Sequence, residues 1–260
     1  MELQLNEKVV VITGGAKGIG AAIARECALE CGIPVIVDQD GEAGKQLQTE
    51  LHSSGKACGL LVVDLLDAEN CAEAVDRTMQ EFGRIDALVN NAGVNDRVGL
   101  ENGSPAEYVS SLQRNLLHYY NMTHYALPAL KKSHGAIVNI GSKTALTGQG
   151  GTSGYASSKG AILALTREWA VELLPYEIRV NAVVPAEVMT PLYENWLGTF
   201  PNPEEKRRLI VSKIPLGKRM TTASEIASTV LFLLSAQAAH TTGQILIVDG
   251  GYVHLDRALT

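Results

Sequence analysis

The chain has 260 residues, 46% hydrophobic and 19% charged, with a formal net charge of -6. That length and balance fit a globular protein with one sizeable core. The acidic surplus, with no basic stripe, argues against nucleic acid as a partner, and the late apolar run TVLFLLSAQAA is too short to span a bilayer.

The opening segment MELQLNEKVVVITGG is acidic and runs directly into a strand, without the basic region and long apolar stretch of a secretory signal. Apolar runs at 8–13, 34–38, 58–64, 85–93, 136–142, 178–185 and 244–251 predict seven strands. Between them, segments 18–31, 41–55, 68–83, 105–132, 154–174 and 223–236 carry helical periodicity or strong helix formers. Alternating strands and helices, with continuously apolar strands, predict an α/β protein. The expected fold is a single-domain Rossmann fold over 1–260, a seven-stranded parallel sheet with helices on both faces. The rhythm breaks between about 186 and 215, where Met189, Leu192, Tyr193, Trp196 and Phe200 mix with charges and with Pro191, Pro201 and Pro203. An insertion after a strand tip reads as a substrate loop or lid. Cys27, Cys31, Cys58 and Cys71 form no C-x-x-C pair; Cys27 and Cys31 share a helix face and are expected to pack. A reduced, cytoplasmic protein is expected. The six histidines are scattered, so no metal site is expected.

The first strand ends in Thr13-Gly-Gly-Ala-Lys-Gly-Ile-Gly20 and flows into a helix. Gly14, Gly18 and Gly20 permit a tight turn, and a pyrophosphate can approach Lys17, Gly18 and Ile19 at the positive end of the helix. Asp38 closes the second strand, at the spacing expected of a carboxylate on the adenosine ribose; a helix N-cap or turn role is the plainer alternative. A carboxylate there repels a 2′-phosphate and favours NAD, whereas Lys17 could meet that phosphate and admit NADP.

The fifth strand delivers Ser142 to its tip, and Tyr155 and Lys159 follow on one face of a helix. A free tyrosine ionises near about 10, and a neighbouring ammonium favours its phenolate. A tyrosine tuned toward neutrality can exchange a proton with an alcohol or carbonyl, while Ser142 holds the same oxygen. Taken alone, Tyr-x-x-x-Lys is a weak pattern that also describes an ordinary surface pair.

With these pieces placed, the whole chain resembles the classical short-chain dehydrogenase/reductase family. The resemblance rests on the glycine turn, Asp64-Leu65, Asn90-Asn-Ala-Gly93, Asn115, and the ordered Ser142, Tyr155 and Lys159, with Val248-Asp-Gly-Gly251 near the end. It implies that Tyr155 is the acid/base, that Lys159 lowers its pKa and holds the nicotinamide ribose, and that Ser142 positions the substrate oxygen. It further implies that Asn115 supports a water linked to Lys159. Asp64 and Leu65 would flank the adenine, Asn91, Ala92 and Gly93 would line the cofactor, and Thr190 would meet the carboxamide beside Pro185 and Val188. Where the family usually has Pro-Gly, this chain has Pro185-Ala186, and alanine resists positive φ.

Within that family, NLLHYYNMTHY, SKTALTGQGGTSGYASSKGA and PAEVMTPLYENW look like its bacterial L-fucose dehydrogenases. That likeness implies oxidation of the anomeric carbon of a sugar to a lactone. Lys143, Gln149 and Glu187, with Asn95, Asp96 and Arg97, fall where a sugar would lie, though polar loop residues at a sheet edge are also common. The aromatic trio Tyr193, Trp196 and Phe200 could equally face a sugar ring or a steroid. A 3-oxoacyl or hydroxysteroid reductase is the main alternative, with Arg207, Arg208, Lys213, Lys218 and Arg219 as a candidate carrier patch. The resemblance also implies a homotetramer paired through 105–132 and 155–174, with the tail HLDRALT reaching toward a neighbour.

Overall fold

The apolar runs form seven strands, buried in the centre of the sheet and partly exposed at its edges β3 and β7: β1 Val9–Thr13, β2 Ile33–Asp38, β3 Gly59–Val62, β4 Ala87–Asn90, β5 Ala136–Ile140, β6 Arg179–Pro185 and β7 Ile245–Val248. They make one sheet in the order β3-β2-β1-β4-β5-β6-β7, with every pair parallel. The computed structural model describes residues 2–255.

Strand residues alternate between two cores, as the two-residue period requires. Val10 and Ile12 pack with Ile23, Leu47 and Ile226, whereas Val9 and Val11 pack with Cys71, Tyr119 and Ile162. The first face is therefore covered by α1 Gly18–Leu29, α2 Gly41–Ser53 and α9 Ala223–Leu234. The second is covered by α3 Ala68–Phe82, α5 His118–Ser133 and α6 Ser153–Glu172. Ile12, Ile23, Leu88 and Ile162 are fully buried, and each such side chain contributes about 1.5–3 kcal/mol of transfer free energy.

Three predicted elements change on folding. The segment 105–132 is α4 Pro105–Leu112, a π-helical turn over Gln113–Leu117, and then α5. The insertion contains two short helices, α7 Pro191–Leu197 and α8 Pro203–Val211. Each opens on a proline after a capping side chain, Thr190 or Asn202; proline at the first helical position gives up an N–H that has no partner there. Cys31 does not share a helix face with Cys27, because α1 ends at Leu29. Cys27 is buried, and Cys31 is exposed at φ 60°. The last five residues of the predicted tail, 256–260, lie outside the described residues.

Candidate active site

The strand order reverses between β1 and β4, and in open α/β sheets the crevice beyond the strand tips at that point takes the ligand. A cleft of about 1260 Å³ lies there, running from the glycine turn after β1 to the insertion after β6.

Gly14, Lys17, Gly18 and Ile19 form one end of it. Gly14 has φ +61°, and a Cβ on it would stand 2.8 Å from the Cα of Ala92. A Cβ on Gly20 would sit 2.1 Å from the carbonyl oxygen of Gly14, so Gly20 is packed behind the turn rather than lining the cleft. Helix α1 begins with no side-chain cap and no acid in its first turn. Helices α3 and α6 also begin without a side-chain cap, whereas α2, α4, α8 and α9 are capped by Asp40, Ser104, Asn202 and Thr222. An uncapped helix start beside side-chain-free glycines fits the diphosphate of a dinucleotide.

Asp38 stands at the tip of β2. Its Oδ2 accepts from the Ala16 N–H at 2.9 Å and its Oδ1 from the Asp40 N–H at 3.0 Å, which fixes the carboxylate at the cleft wall. The cap of α2 is Asp40, not Asp38. Lys17 is ion-paired with Asp40. Asp64 and Leu65 lie past the end of β3 and line the cleft; the Asp64 Oδ1 accepts from the Leu66 N–H at 3.1 Å.

Asn91, Ala92 and Gly93 follow β4 into the cleft. The Asn91 side chain is turned back to stitch the glycine turn: its Nδ2 donates to the carbonyls of Thr13 and Gly14, each at 3.0 Å. The Thr13 hydroxyl accepts from the N–H groups of Asn91 and Ala92. Asn115 sits buried in the π turn and does not line the cleft. Its Oδ1 accepts from the Val94 N–H at 2.7 Å, and its Nδ2 donates to the Ser111 carbonyl. Gly93 leaves the gap this bond needs, since a Cβ there would meet the Asn115 Oδ1 at 3.0 Å.

Ser142, Tyr155 and Lys159 meet in the middle of the cleft. Ser142 follows β5 and its hydroxyl accepts from that of Thr144 at 3.1 Å. Tyr155 lies in the first turn of α6. Burial pushes its phenol above its ordinary pKa, and a hydrogen bond with Ser142 pulls the other way. Lys159 is only 2% exposed. Its ammonium donates to the Tyr119 hydroxyl at 2.8 Å and the Ile140 carbonyl at 2.9 Å, and lies 5.6 Å from the centre of the Tyr155 ring. Burial pushes Lys159 down to about 7. The sequence predicts a phenol shifted downward by this lysine; in the folded site, without cofactor or substrate, burial of the phenol outweighs that pull. Tyr119 was not foreseen as its partner, although Asn115 and Tyr119 are one helical turn apart in NLLHYY.

After β6, Pro185, Ala186, Glu187, Val188 and Thr190 form the far wall. Ala186 is not among the residues with positive φ, so this backbone needs no glycine there. The Thr190 hydroxyl accepts from the Tyr193 N–H at 3.2 Å and so caps α7. Lys143 and Glu187, both 9% exposed, form an ion pair. Gln149 is exposed at the rim. Asn95 and Arg97 also line the cleft, with the Arg97 guanidinium 5.9 Å from the centre of the Trp196 ring. Asp96 instead accepts from the Ser111 hydroxyl. Trp196 packs edge-on to Tyr193 and Phe200, and of these three Phe200 is absent from the cleft wall. Among the described residues no group of three His, Cys, Asp or Glu is placed to hold a metal.

A glycine-turned nucleotide end joined to a tyrosine–lysine–serine centre on a parallel sheet defines a dinucleotide-dependent oxidoreductase of Rossmann type. Residues 14–253 match the family model described as enoyl-(acyl carrier protein) reductase. The chain belongs to the short-chain dehydrogenase/reductase family, whose members use NAD or NADP on small-molecule substrates. It is 34% identical to the 3-oxoacyl-[acyl-carrier-protein] reductase of Thermotoga maritima, over 96% of this chain and 100% of that one. It is 36% identical to the L-fucose dehydrogenase of Bos taurus, over 94% of this chain and 88% of the relative. The crystal structure of the Cj0485 dehydrogenase is 52% identical, covers 100% of this chain and 99% of its own, and superposes with a TM-score of 0.94.

Proposed function

We propose that this enzyme oxidises the anomeric hydroxyl of an aldose, L-fucose or a close relative, to the lactone with NAD. The observation that carries the reading is the wall beside Ser142 and Tyr155. Lys143, Glu187 and Tyr193 bring ammonium, carboxylate and phenol groups to the substrate end of the cleft, and a site built from hydrogen-bonding groups favours a polyhydroxylated ligand. The likeness to the bovine L-fucose dehydrogenase supports the same class.

In this reading Ser142 holds the hydroxyl to be oxidised, and Tyr155 takes its proton as general base. Bound NAD supplies the nicotinamide that accepts the hydride from the same carbon. Lys159 offers its remaining N–H to the nicotinamide ribose and stabilises the phenolate. Asn115, from the π turn, supports the water through which that proton leaves; π turns recur at functional positions. Gly14, Lys17, Gly18 and Ile19 receive the diphosphate with Gly20 behind them, and Asp64 and Leu65 flank the adenine. Ala92, Gly93, Pro185, Val188 and Thr190 line the nicotinamide half, with Asn91 fixing the turn beneath. Asp38, fixed by two main-chain N–H groups, accepts from the ribose hydroxyls and repels a 2′-phosphate. Lys17 is already engaged with Asp40, so NAD is favoured over NADP. Gln149 closes the substrate end from the rim.

The 3-oxoacyl reading draws on the Thermotoga relative, yet its proposed basic patch is partly neutralised. Arg207 pairs with Glu204, and Arg219 with Glu225. No described helix is long and apolar enough to cross a membrane, and a cytoplasmic enzyme is proposed. The test is absorbance at 340 nm with L-fucose, L-galactose, D-arabinose and simple secondary alcohols, each with NAD and with NADP. The expected result is reduction of NAD by at least one of the sugars. Silence from all three sugars beside turnover of a simple alcohol removes the sugar reading.

A further inference from the structure

Lys143 and Glu187 reach the cleft from different strands, one residue past Ser142 after β5 and two past Pro185 after β6. Their side chains are each 11% exposed and joined as an ion pair. The Tyr193 hydroxyl, from α7, hydrogen-bonds the same carboxylate, which with burial pushes the phenol far above its ordinary value. The Lys143 ammonium also lies 4.2 Å from the centre of the Tyr252 ring. Two charges withdrawn from water are a poor device for stability, since desolvation consumes most of their attraction. A charge pair kept in a cleft wall, beside a proton-transfer centre, is better placed for recognition.

The pair has a specific chemical reading. It presents a donor and an acceptor side by side with no net charge. One hydroxyl can accept from the ammonium while its neighbour donates to the carboxylate, and two hydroxyls at that spacing are a vicinal diol. A ligand with one hydroxyl engages only one member of the pair fully and forgoes the second charge-assisted hydrogen bond in a site that excludes water. An anionic ligand meets a lysine whose charge is already answered and a carboxylate that repels it. We propose that Lys143 and Glu187, steadied by Tyr193, form a charge-neutral diol clamp that selects neutral ligands carrying adjacent hydroxyls. The inference rests on the sugar reading of this same cleft and names the feature of the sugar that is read.

The test compares kcat/KM, and competitive inhibition where turnover is absent, for cis-1,2-cyclohexanediol and cyclohexanol, alongside L-fucose. It is run on the wild-type enzyme and on the K143M/E187L double variant, which removes both charges together and leaves neither orphaned; NADH binding by fluorescence confirms an intact fold. The wild type is expected to prefer the diol. The double variant is expected to lose at least about tenfold of the diol-to-monool ratio, the scale of one charge-assisted hydrogen bond. Y193F, which leaves both charges in place, is expected to move the ratio in the same direction by less. A wild type indifferent to the second hydroxyl overturns the clamp, even if the double variant fails to fold, and so does a double variant with an unchanged ratio. Diol preference without turnover of any aldose keeps the clamp and discards the sugar substrate. Turnover of L-fucose with an unmoved ratio does the reverse.

Discussion

Tyr155 and Lys159 show how far a spacing of four residues carries chemistry. The sequence places both on one helix face, and that placement holds. What it does not convey is that Lys159 is buried against Tyr119 and Ile140, and that its ammonium is pushed to about 7. This has a consequence for stability. A lysine whose pKa falls from 10.5 on folding must either stay charged in a dry site or give up its proton. The penalty is full below about pH 7 and fades as pH rises toward 10.5, because the unfolded chain binds more protons across that window. Replacing the lysine by methionine therefore stabilises the fold most at neutral and lower pH. Between pH 7 and pH 9.5 the advantage of Lys159→Met over wild type should shrink by about 3 kcal/mol, at about 1.4 kcal/mol per unit. Urea unfolding at the two pH values measures it, and a pH-independent difference would show that Lys159 is not charged at a cost. The partners of Lys159 were hidden because they come from α5 and β5, and no local pattern announces a contact forty residues away.

At the scale of elements, the glycine turn was legible because its requirement is local. Gly14 must hold φ +61° and let Ala92 approach, and only glycine does both. Gly14→Ala should cost about 1–3 kcal/mol in urea unfolding and weaken NADH binding measured by fluorescence titration. An unchanged midpoint with unchanged affinity would contradict the close approach seen here. The strands were legible too, but their ends were not: the apolar runs extend to Asp64 and Gly93, whereas β3 stops at Val62 and β4 at Asn90. Asn91 reaches the cleft wall, and the commitment of its amide to Thr13 and Gly14 was not legible. The helices α7 and α8 were missed although Thr190-Pro191 and Asn202-Pro203 are cap-and-proline starts. Their shortness kept any apolar period from forming. The π turn at Gln113–Leu117 has no sequence period of its own and could only be seen folded.

Across the whole molecule, the two cores cover the sheet on both faces, but several large apolar side chains remain on the outer helices. Tyr108, Val109, Leu117 and Tyr120 are exposed on α4, the π turn and α5, and Val171 on α6. These are the segments proposed to pair between subunits, and burying them would remove apolar surface from water. Size-exclusion chromatography with light scattering should give a tetramer mass, and a monomer at micromolar concentration would sink the proposed assembly. The central claim is that Tyr155 moves the proton of an alcohol while NAD receives the hydride. The direct measurement is absorbance at 340 nm with L-fucose and NAD, for wild type and Tyr155→Phe at equal concentration. A clear wild-type rate that falls by about 10²–10⁴-fold in the phenylalanine variant is the predicted result. A variant within about tenfold of wild type would contradict it.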